Sequence, residues 1–156
     1  MADLNELADR IAIRELIDTY CNIINRRAWD EMPAVYTEDA KWAVLGVREL
    51  GDDNRWEGRD NVVAAVRNMV DMCEMLQHMT GACQIRIDGD TATATLSLQE
   101  IAMFDANNGL YLLGIYYDRM RRTPEGWKFY NREFHARYAR RDGMAAEIFP
   151  LYDPAL

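Results

Sequence analysis

His78 and Glu100 are the two residues of this 156-residue chain whose types and settings best suit acid–base chemistry. His78 opens the apolar, strand-like stretch "HMTGACQIRI", and an imidazole ordinarily titrates at about pH 6.5. A lone histidine in such a stretch is also typical of a satisfied core residue, so a structural role stays open beside that of a base. Glu100 lies among apolar residues in "TATATLSLQEIAMF", where an unpaired carboxylate is costly. We therefore expect Glu100 to be paired, protonated or facing a polar cavity.

The first half of the chain is predicted to be mainly helical. Asp3 and Glu6 resemble a capping box, and apolar residues then recur at three- and four-residue steps from Leu4 to Ile24. A second, shorter helix is predicted at "NRRAWDEM", followed by a short strand at "TEDAKWAVLG" and a polar loop at "VRELGDDNRWEG". Asp60 is placed as the cap of a third helix, "NVVAAVRNMVDMCEM", which has one apolar face.

The second half is predicted to be a meander of four strands, because the apolar period changes from helical spacing to two. The strands are "HMTGACQIRI", "TATATLSLQEIAMF", "LYLLGIYYDRMRR" and "WKFYNREFHARYA", separated by the turn signals "DGD", "DANNG" and "PEG". Helices followed by consecutive antiparallel strands predict an α+β domain with helices packed on one sheet face. We expect residues 1–156 to form a single domain.

The third of these strands, "LYLLGIYY", is apolar on both faces. One face can meet the interior, whereas Tyr111, Leu113, Ile115 and Tyr117 on the other face need a different cover. A partner subunit is the economical explanation, so we expect a homo-oligomer.

Charge, hydropathy and cysteine content limit which kinds of partner and which cellular compartment the sequence favours. The formal net charge is −8 and the pI is about 4.8, which disfavours nucleic acid because an acidic surface repels phosphates. No apolar run is long enough to suggest a membrane span, and the N-terminus lacks the apolar core of a signal peptide. Three widely spaced cysteines without a C-x-x-C motif favour a reducing, cytoplasmic setting and give no zinc site. We find no G-x-S-x-G elbow, phosphate loop or dinucleotide fingerprint.

Several stretches together resemble the SnoaL-like branch of the NTF2-like superfamily. They are "IAIRELIDTYCNIINRRAWDEMPAVYTEDAKW", the "WEG" before the third helix, "QHMTG" and "EGWKF". The chain is most similar to the group of scytalone dehydratase and hexachlorocyclohexane dehydrochlorinase, which also holds bacterial lyases for lignin-derived aromatic dimers. The resemblance implies a cone, with N-terminal helices in a curved, mainly antiparallel sheet enclosing one deep pocket. It implies no metal and no organic cofactor, and it leaves the reaction open because such cones host many functions.

In that group an aspartate of the first helix orients a histidine base on the first long strand, and a leaving group departs from the neighbouring carbon. The histidine position matches His78, and the aspartate position matches Asn25. An asparagine can hold the ring through its amide oxygen, but it cannot supply the negative charge that raises the basicity of the histidine. The resemblance therefore implies a weaker base, a less demanding reaction, or a protein that is not a catalyst.

Further residues are assigned to the pocket by the strand pattern and by the resemblance. Tyr116 lies on an inward face and could donate to a substrate oxygen, and Arg132 could pair with Glu100 or bind a phenolate or carboxylate. The substrate-binding walls are assigned to Tyr20, Trp42, Leu96, Leu98, Leu112 and Phe134.

These expectations combine into one leading hypothesis with alternatives. The protein is predicted to be a cofactor-independent lyase that eliminates water or formaldehyde from a small hydroxylated aromatic or polycyclic molecule. His78 is its general acid or base, oriented by Asn25, while Glu100, Tyr116 and Arg132 assist at the departing oxygen. The alternatives are an isomerase or polyketide-type cyclase in the same pocket, and a non-catalytic binding module. The relatives suggest a trimer or a dimer, and residues 140–156 are predicted to be a lid or an intersubunit strap.

Overall fold

The computed structural model describes residues 4–47, 54–141 and 145–149 of the chain. Helix α1 spans Leu4–Arg26, a 3-10 helix spans Trp29–Val35, and helix α2 spans Arg59–Asp71. The strands are β1 Tyr36–Leu45, β2 Arg55–Glu57, β3 Met75–Asp88, β4 Thr91–Asp105, β5 Asn108–Thr123 and β6 Gly126–Arg140. The predicted α+β class is confirmed, with the N-terminal helices packed against one curved, open sheet.

The six strands form one sheet in the order β2-β1-β6-β5-β4-β3. Strands β3 to β6 are a continuous antiparallel meander, as predicted, and only the pairing of β1 with β6 is parallel. Gly89 lies in the turn between β3 and β4, and Gly126 in the turn between β5 and β6. Their φ angles of 56° and 114° lie in a backbone region that favours glycine. Strand β3, which carries His78, is therefore an edge strand of the sheet.

The helical half differs from its prediction at three points. The second helix is a 3-10 helix, and Tyr36 already begins β1. The predicted polar loop contains strand β2, which pairs antiparallel with β1 so that Trp56 lies opposite Trp42. Asp60 does not cap α2, because Gly58 holds the cap position and Asp60 lies in the first turn of the helix. The predicted Asp3 cap of α1 lies outside the described residues.

The inner face of the sheet forms the core, as the alternation in β4 predicts. Ala92, Ala94, Leu96, Leu98 and Ala102 are buried on that face, and the residues between them are mostly exposed. The apolar face predicted for α1 is not buried along its whole length: Leu4, Leu7 and Ile11, in its first turns, are 79%, 48% and 53% exposed. Only the part of α1 from Ile13 onward packs into the core, where Ile13, Ile17, Tyr20 and Ile24 are buried.

At Gly114, the ring of Phe134 from the neighbouring strand β6 lies directly against the backbone of β5. A Cβ atom at this position would lie 2.1 Å from the ring of Phe134 and 2.7 Å from the carbonyl oxygen of His135. Both distances are shorter than any real carbon contact, so only glycine fits here without displacing β6. On the outer face of β5, Tyr111, Leu113 and Ile115 are half-buried and Tyr117 is exposed, so this apolar face is only partly covered by the described residues.

Candidate active site

A cavity of about 580 Å³ is enclosed by α1, α2 and the inner faces of the strands. Its walls are mostly apolar and include Ile24, Val66, Val70, Leu98, Leu112 and Phe134. Met72 and Phe104, which are exposed, line its mouth together with Asn108 and Arg141. The volume lies in the range of pockets that enclose most of a small organic molecule.

His78 and Glu100 meet in the cavity wall because β3 and β4 place them directly opposite each other. The distance between His78 Nε2 and Glu100 Oε2 is 2.6 Å. The side chain of His78 is 7% exposed and that of Glu100 is 15% exposed, so the pair is largely shielded from water. Glu100 is thus paired, as expected from its apolar surroundings, but its partner is His78 and not an arginine.

The surroundings of the His78 ring favour its cationic form. Burial lowers its pKa, but contacts with Cys21 and with the Glu100 carboxylate outweigh burial and raise the pKa to about 9. An imidazolium facing a carboxylate at 2.6 Å is a charge-assisted hydrogen bond, the strong kind. The other ring nitrogen, Nδ1, is buried and has no hydrogen-bond partner among the residues that the structure describes. The carboxylate that seemed to be missing beside the histidine is therefore supplied by β4.

Asn25 binds the main chain of His78 and not its ring. The Asn25 Nδ2 donates to the carbonyl oxygen of His78 at 3.0 Å, and the His78 N–H donates to Asn25 Oδ1 at 2.7 Å. The predicted orientation of the imidazole by Asn25 is wrong, because both ends of the amide are already used by the backbone. Asn25 instead takes the place of a neighbouring strand along the open edge of β3.

Arg132 pairs with Asp118 and not with Glu100. The two residues lie opposite each other on β6 and β5, and Arg132 Nε and Nη2 donate to the two carboxylate oxygens at 2.8 and 2.9 Å. Both side chains are almost fully buried, and Arg132 is absent from the cavity wall. The predicted contact of Arg132 with a substrate oxygen is therefore not available in this arrangement. Asp118 follows Tyr116 on the inward face of β5, so continuing the alternation by one step would have revealed it.

The guanidinium of Arg132 stacks on three aromatic rings. Its central carbon lies 4.0 Å from the ring centre of Tyr20, 4.2 Å from that of Tyr116 and 4.0 Å from that of Phe129. Such cation–π contacts are strongest where water is excluded. Burial raises the pKa values of both Tyr20 and Tyr116, so both phenols remain neutral hydrogen-bond donors at neutral pH. Both rings line the cavity, as predicted.

The remaining predicted wall residues divide into cavity and core. Trp42, Leu98, Leu112 and Phe134 line the cavity, whereas Leu96 is buried elsewhere in the core and does not reach it. Trp42 stacks on Trp56 with ring centres 4.9 Å apart, and its indole nitrogen has no partner among the described residues. The sequence left the contribution of α2 to the cavity undecided, although the regular apolar face of that helix was visible. That face supplies Val66, Met69 and Val70 to the cavity wall.

These features define a small α+β cone with an acid–base pair in an apolar cavity, and comparisons with known proteins agree on the class. Residues 5–133 match the SnoaL-like domain, so the chain belongs to that family, within the NTF2-like superfamily. An uncharacterized protein of Mycobacterium tuberculosis is 29% identical over 135 residues, covering 85% of this chain and 88% of that protein. The resemblance noted from the sequence is thereby confirmed.

Solved structures share the fold at low sequence identity. A candidate scytalone dehydratase of Novosphingobium aromaticivorans superposes with a TM-score of 0.78 at 18% identity, covering 96% of this chain and 95% of that one. The hexachlorocyclohexane dehydrochlorinase LinA-type3 of Novosphingobium barchaimii superposes with a TM-score of 0.77 at 18% identity, covering 98% and 100%. At these identities the likeness establishes the fold, and the fold's neighbours include elimination enzymes. No helix among the described residues is long and apolar enough to cross a membrane.

Proposed function

We propose that this protein is a cofactor-independent lyase acting on a small hydroxylated aromatic or polycyclic molecule. The single observation that carries the proposal is the His78–Glu100 pair in the wall of an otherwise apolar cavity. Such a pair can remove a proton and return it within a water-poor site, where acid–base groups are most effective. The elimination enzymes among the structural neighbours support the same class of reaction.

The cavity wall supports an aromatic substrate. The rings of Tyr20, Trp42, Tyr116 and Phe134 line it, and flat aromatic surfaces stack favourably on one another. The phenols of Tyr20 and Tyr116 are the candidate donors to substrate oxygens. A cavity of about 580 Å³ with so few polar groups suits a largely apolar molecule that carries a few hydroxyl or ether oxygens.

The reaction is an elimination that expels water or formaldehyde. In loss of water, a C–H bond breaks, its electrons form a carbon–carbon double bond, and the departing hydroxyl receives a proton. In loss of formaldehyde, the hydroxyl proton of a hydroxymethyl group is removed, the O–H electrons form the carbonyl of formaldehyde, and a C–C bond breaks instead. Its electrons then form the double bond as a neighbouring hydroxyl departs as water. A para-hydroxylated ring favours this departure through a quinone methide, so a moderate base suffices.

Two alternative functions would use the same cavity. An isomerase or polyketide-type cyclase would move a proton with the same pair and release a product without loss of water or formaldehyde. A non-catalytic binding module would use only the apolar walls. The product distinguishes all three, because elimination changes the composition of the substrate, isomerisation leaves it unchanged, and binding alone gives thermal stabilisation without product.

The test is an assay of a panel of hydroxylated aromatic dimers and dehydratase substrates, with product masses and released formaldehyde as readouts. Replacement His78→Ala should abolish turnover, and Asn25→Ala and Asn25→Asp complete the set. The matched control is His135→Ala, because His135 is the only other histidine and lies on the outer face, half-exposed, near Glu133. Unchanged turnover in the His78 variant contradicts the proposed mechanism.

Assembly, closure and location are part of the same proposal. The partly covered apolar outer face of β5 supports a homo-oligomer, a trimer or a dimer. Ala146 N–H donates to the carbonyl oxygen of Ala106, in the turn beside the cavity mouth, and this contact supports a lid role for residues 140–156. The rest of that segment, 142–144 and 150–156, lies outside the described residues. Three free cysteines support a reducing cytoplasm.

A further inference from the structure

We infer that Glu100 is the group that takes the proton from the substrate, and that His78 is a positioning residue that holds the carboxylate in place. This assignment rests on the proposed lyase function and exchanges the roles that the sequence suggested for the two residues. It follows from how accessible the two ring nitrogens of His78 and the two carboxylate oxygens of Glu100 are, and from the charge of the pair.

Neither nitrogen of the His78 ring is available to a substrate. Nε2 is occupied by Glu100 Oε2 at 2.6 Å, and Nδ1 is buried from the cavity as well as from water. A general base must come within hydrogen-bond reach of the proton that it removes. The ring meets this requirement only if the pair with Glu100 is first broken, which would leave two buried charges unpaired.

Among the described residues, one of the two Glu100 carboxylate oxygens receives no hydrogen bond. Only Oε2 is used by His78, and no hydrogen bond to Oε1 is present within the described residues. The Glu100 side chain lines the cavity and keeps 15% of its surface exposed, twice the fraction of the His78 side chain. A carboxylate accepts hydrogen bonds through both oxygens, so Oε1 can receive a substrate proton while Oε2 stays bonded to the ring.

The charge state leads to the same assignment. Contacts with Cys21 and with the Glu100 carboxylate raise the pKa of the ring and favour the imidazolium, which has no lone pair with which to accept a proton. Within the part of the chain that the structure describes, the titratable groups that act on the pair include the Cys21 and Tyr20 side chains of α1 and the Cys73 thiol after α2. Tyr20 and Cys73 have raised pKa values, so neither adds a negative charge to the pair at neutral pH.

The proton transfers balance within this pair. Glu100 Oε1 accepts the proton of the breaking C–H bond, whose electrons form the new carbon–carbon double bond. In the loss of formaldehyde it accepts the hydroxymethyl O–H proton instead: the O–H electrons form the carbonyl of formaldehyde, and the electrons of the breaking C–C bond form the carbon–carbon double bond. The C–O bond breaks with its electrons on oxygen, and the carboxylic acid returns the same proton to that oxygen as water leaves. The imidazolium keeps its own proton throughout.

The test compares two isosteric variants on the substrate panel. Glu100→Gln removes the acceptor and should lower kcat by roughly 1,000-fold or more, with KM little changed. His78→Gln keeps an amide donor at the position of Nε2 but removes the charge, and it should lower kcat by only about 10- to 100-fold. Glu133→Gln and His135→Gln, from the exposed His–Glu pair on the outer face, are the matched controls and should leave kcat unchanged. A larger loss for His78→Gln than for Glu100→Gln overturns the assignment.

A spectroscopic readout separates this assignment from the proposed function. The chain has only two histidines, so ring nitrogen NMR gives two sets of signals, which His135→Gln assigns. The His78 ring should remain an imidazolium through pH 8, and in Glu100→Gln it should lose its proton roughly one pH unit lower or more. A neutral His78 ring at pH 7 in the wild-type protein overturns the assignment whether or not a substrate has been found. Absence of turnover across the panel contradicts the lyase function alone.

Discussion

Asn25 and His78 are joined by two hydrogen bonds between one side-chain amide and one residue's main chain, at 2.7 and 3.0 Å. The amide fixes the position of β3 where the imidazole leaves the strand, so helix α1 determines where the acid–base pair lies. Asn25 was expected to bond to the imidazole itself. It instead holds the main chain of His78, and so it determines where the ring lies. This relationship gives the first prediction.

Replacement Asn25→Ala should lower the free energy of unfolding by about 1–3 kcal/mol, because it leaves the N–H and C=O of His78 without partners. Asn25→Asp should also destabilise, since a carboxylate accepts from the N–H but cannot donate to the carbonyl oxygen. Urea denaturation measures both changes. The control is Asn22→Ala, one turn earlier and exposed, where the side-chain oxygen accepts a hydrogen bond from Arg26. A gain of activity in Asn25→Asp would show that the side chain acts on the ring after all.

Removing one member of the buried Arg132–Asp118 pair should cost about 3–5 kcal/mol of unfolding free energy, because the other charge is left unpaired in the core. Asp118→Asn and Arg132→Met are the variants, and chemical denaturation is the measurement. Asp39→Asn provides the comparison, because it breaks an exposed Asp–Arg pair with Arg121 and should cost less than about 1 kcal/mol. Equal losses in the buried and exposed pairs would contradict the prediction.

Gly114→Ala should lower stability and reshape the cavity together. The added methyl group overlaps the ring of Phe134, which lines the cavity, so either that ring or strand β6 must move. We expect a loss of about 1–3 kcal/mol, the usual cost of overpacking, measured by thermal unfolding. Gly89→Asn is the control, since its turn has open space and a φ that asparagine tolerates. An unchanged Tm in Gly114→Ala would be the contrary result.

The stability of the protein should fall as the pH rises from 7 to 10. The pKa of His78 is raised to about 9 in the folded protein, above the value of about 6.5 expected in the unfolded chain. A raised pKa contributes stability that is fully present below pH 6.5 and is lost as the pH rises through 9. Denaturation at a series of pH values should show this loss in the wild-type protein and in His135→Gln. The slope should be smaller in His78→Gln, and equal slopes in all three proteins would refute the charge assignment.

Replacement Ile115→Asp should reduce the oligomeric state without altering the cavity, because the side chain lies on the outer face of β5 among half-buried apolar residues. A charge in an apolar subunit contact is left unpaired and costs several kcal/mol. Light scattering coupled to gel filtration measures the mass. Thr93→Asp, an exposed residue of the outer face of β4, is the control. A wild-type monomer would contradict the homo-oligomer directly.

The sheet could be predicted from the sequence because its signals are local. The period of two in β3 to β6 and the glycine-bearing turns between them specify a meander without reference to anything distant. Strand β2 was missed because three residues in a polar stretch carry no periodicity, and Trp56 becomes part of a strand only by pairing with β1. Asp60 looked like a helix cap because its residue type fits, but the left-handed conformation of Gly58 already ends the preceding strand.

Most of the residues that the sequence assigned to the site line the cavity, but the sequence did not show how the polar ones pair. Glu100 was identified by being polar among apolar neighbours, and His78 by that and by its match to the family's base position. Their contact depends on the register between β3 and β4, which includes an irregularity after Thr80 that the sequence does not show. For Arg132 the sequence left two partners open, Glu100 and a phenolate or carboxylate of the substrate. Its actual partner, Asp118, was not recognised because it lies just beyond the apolar part of β5.

The parallel pairing of β1 with β6 has a consequence for how the chain folds. Tyr36 pairs beside Phe129, about 90 residues further along, whereas neighbouring strands of the meander are joined by turns of a few residues. Contacts between distant segments form late because the entropy of closing a long loop must be overcome first. The His78–Glu100 pair belongs to the local part, so we expect its register to be set before β1 pairs with β6. In that order of events, the docking of β1 completes the cavity by adding the wall that Trp42 provides.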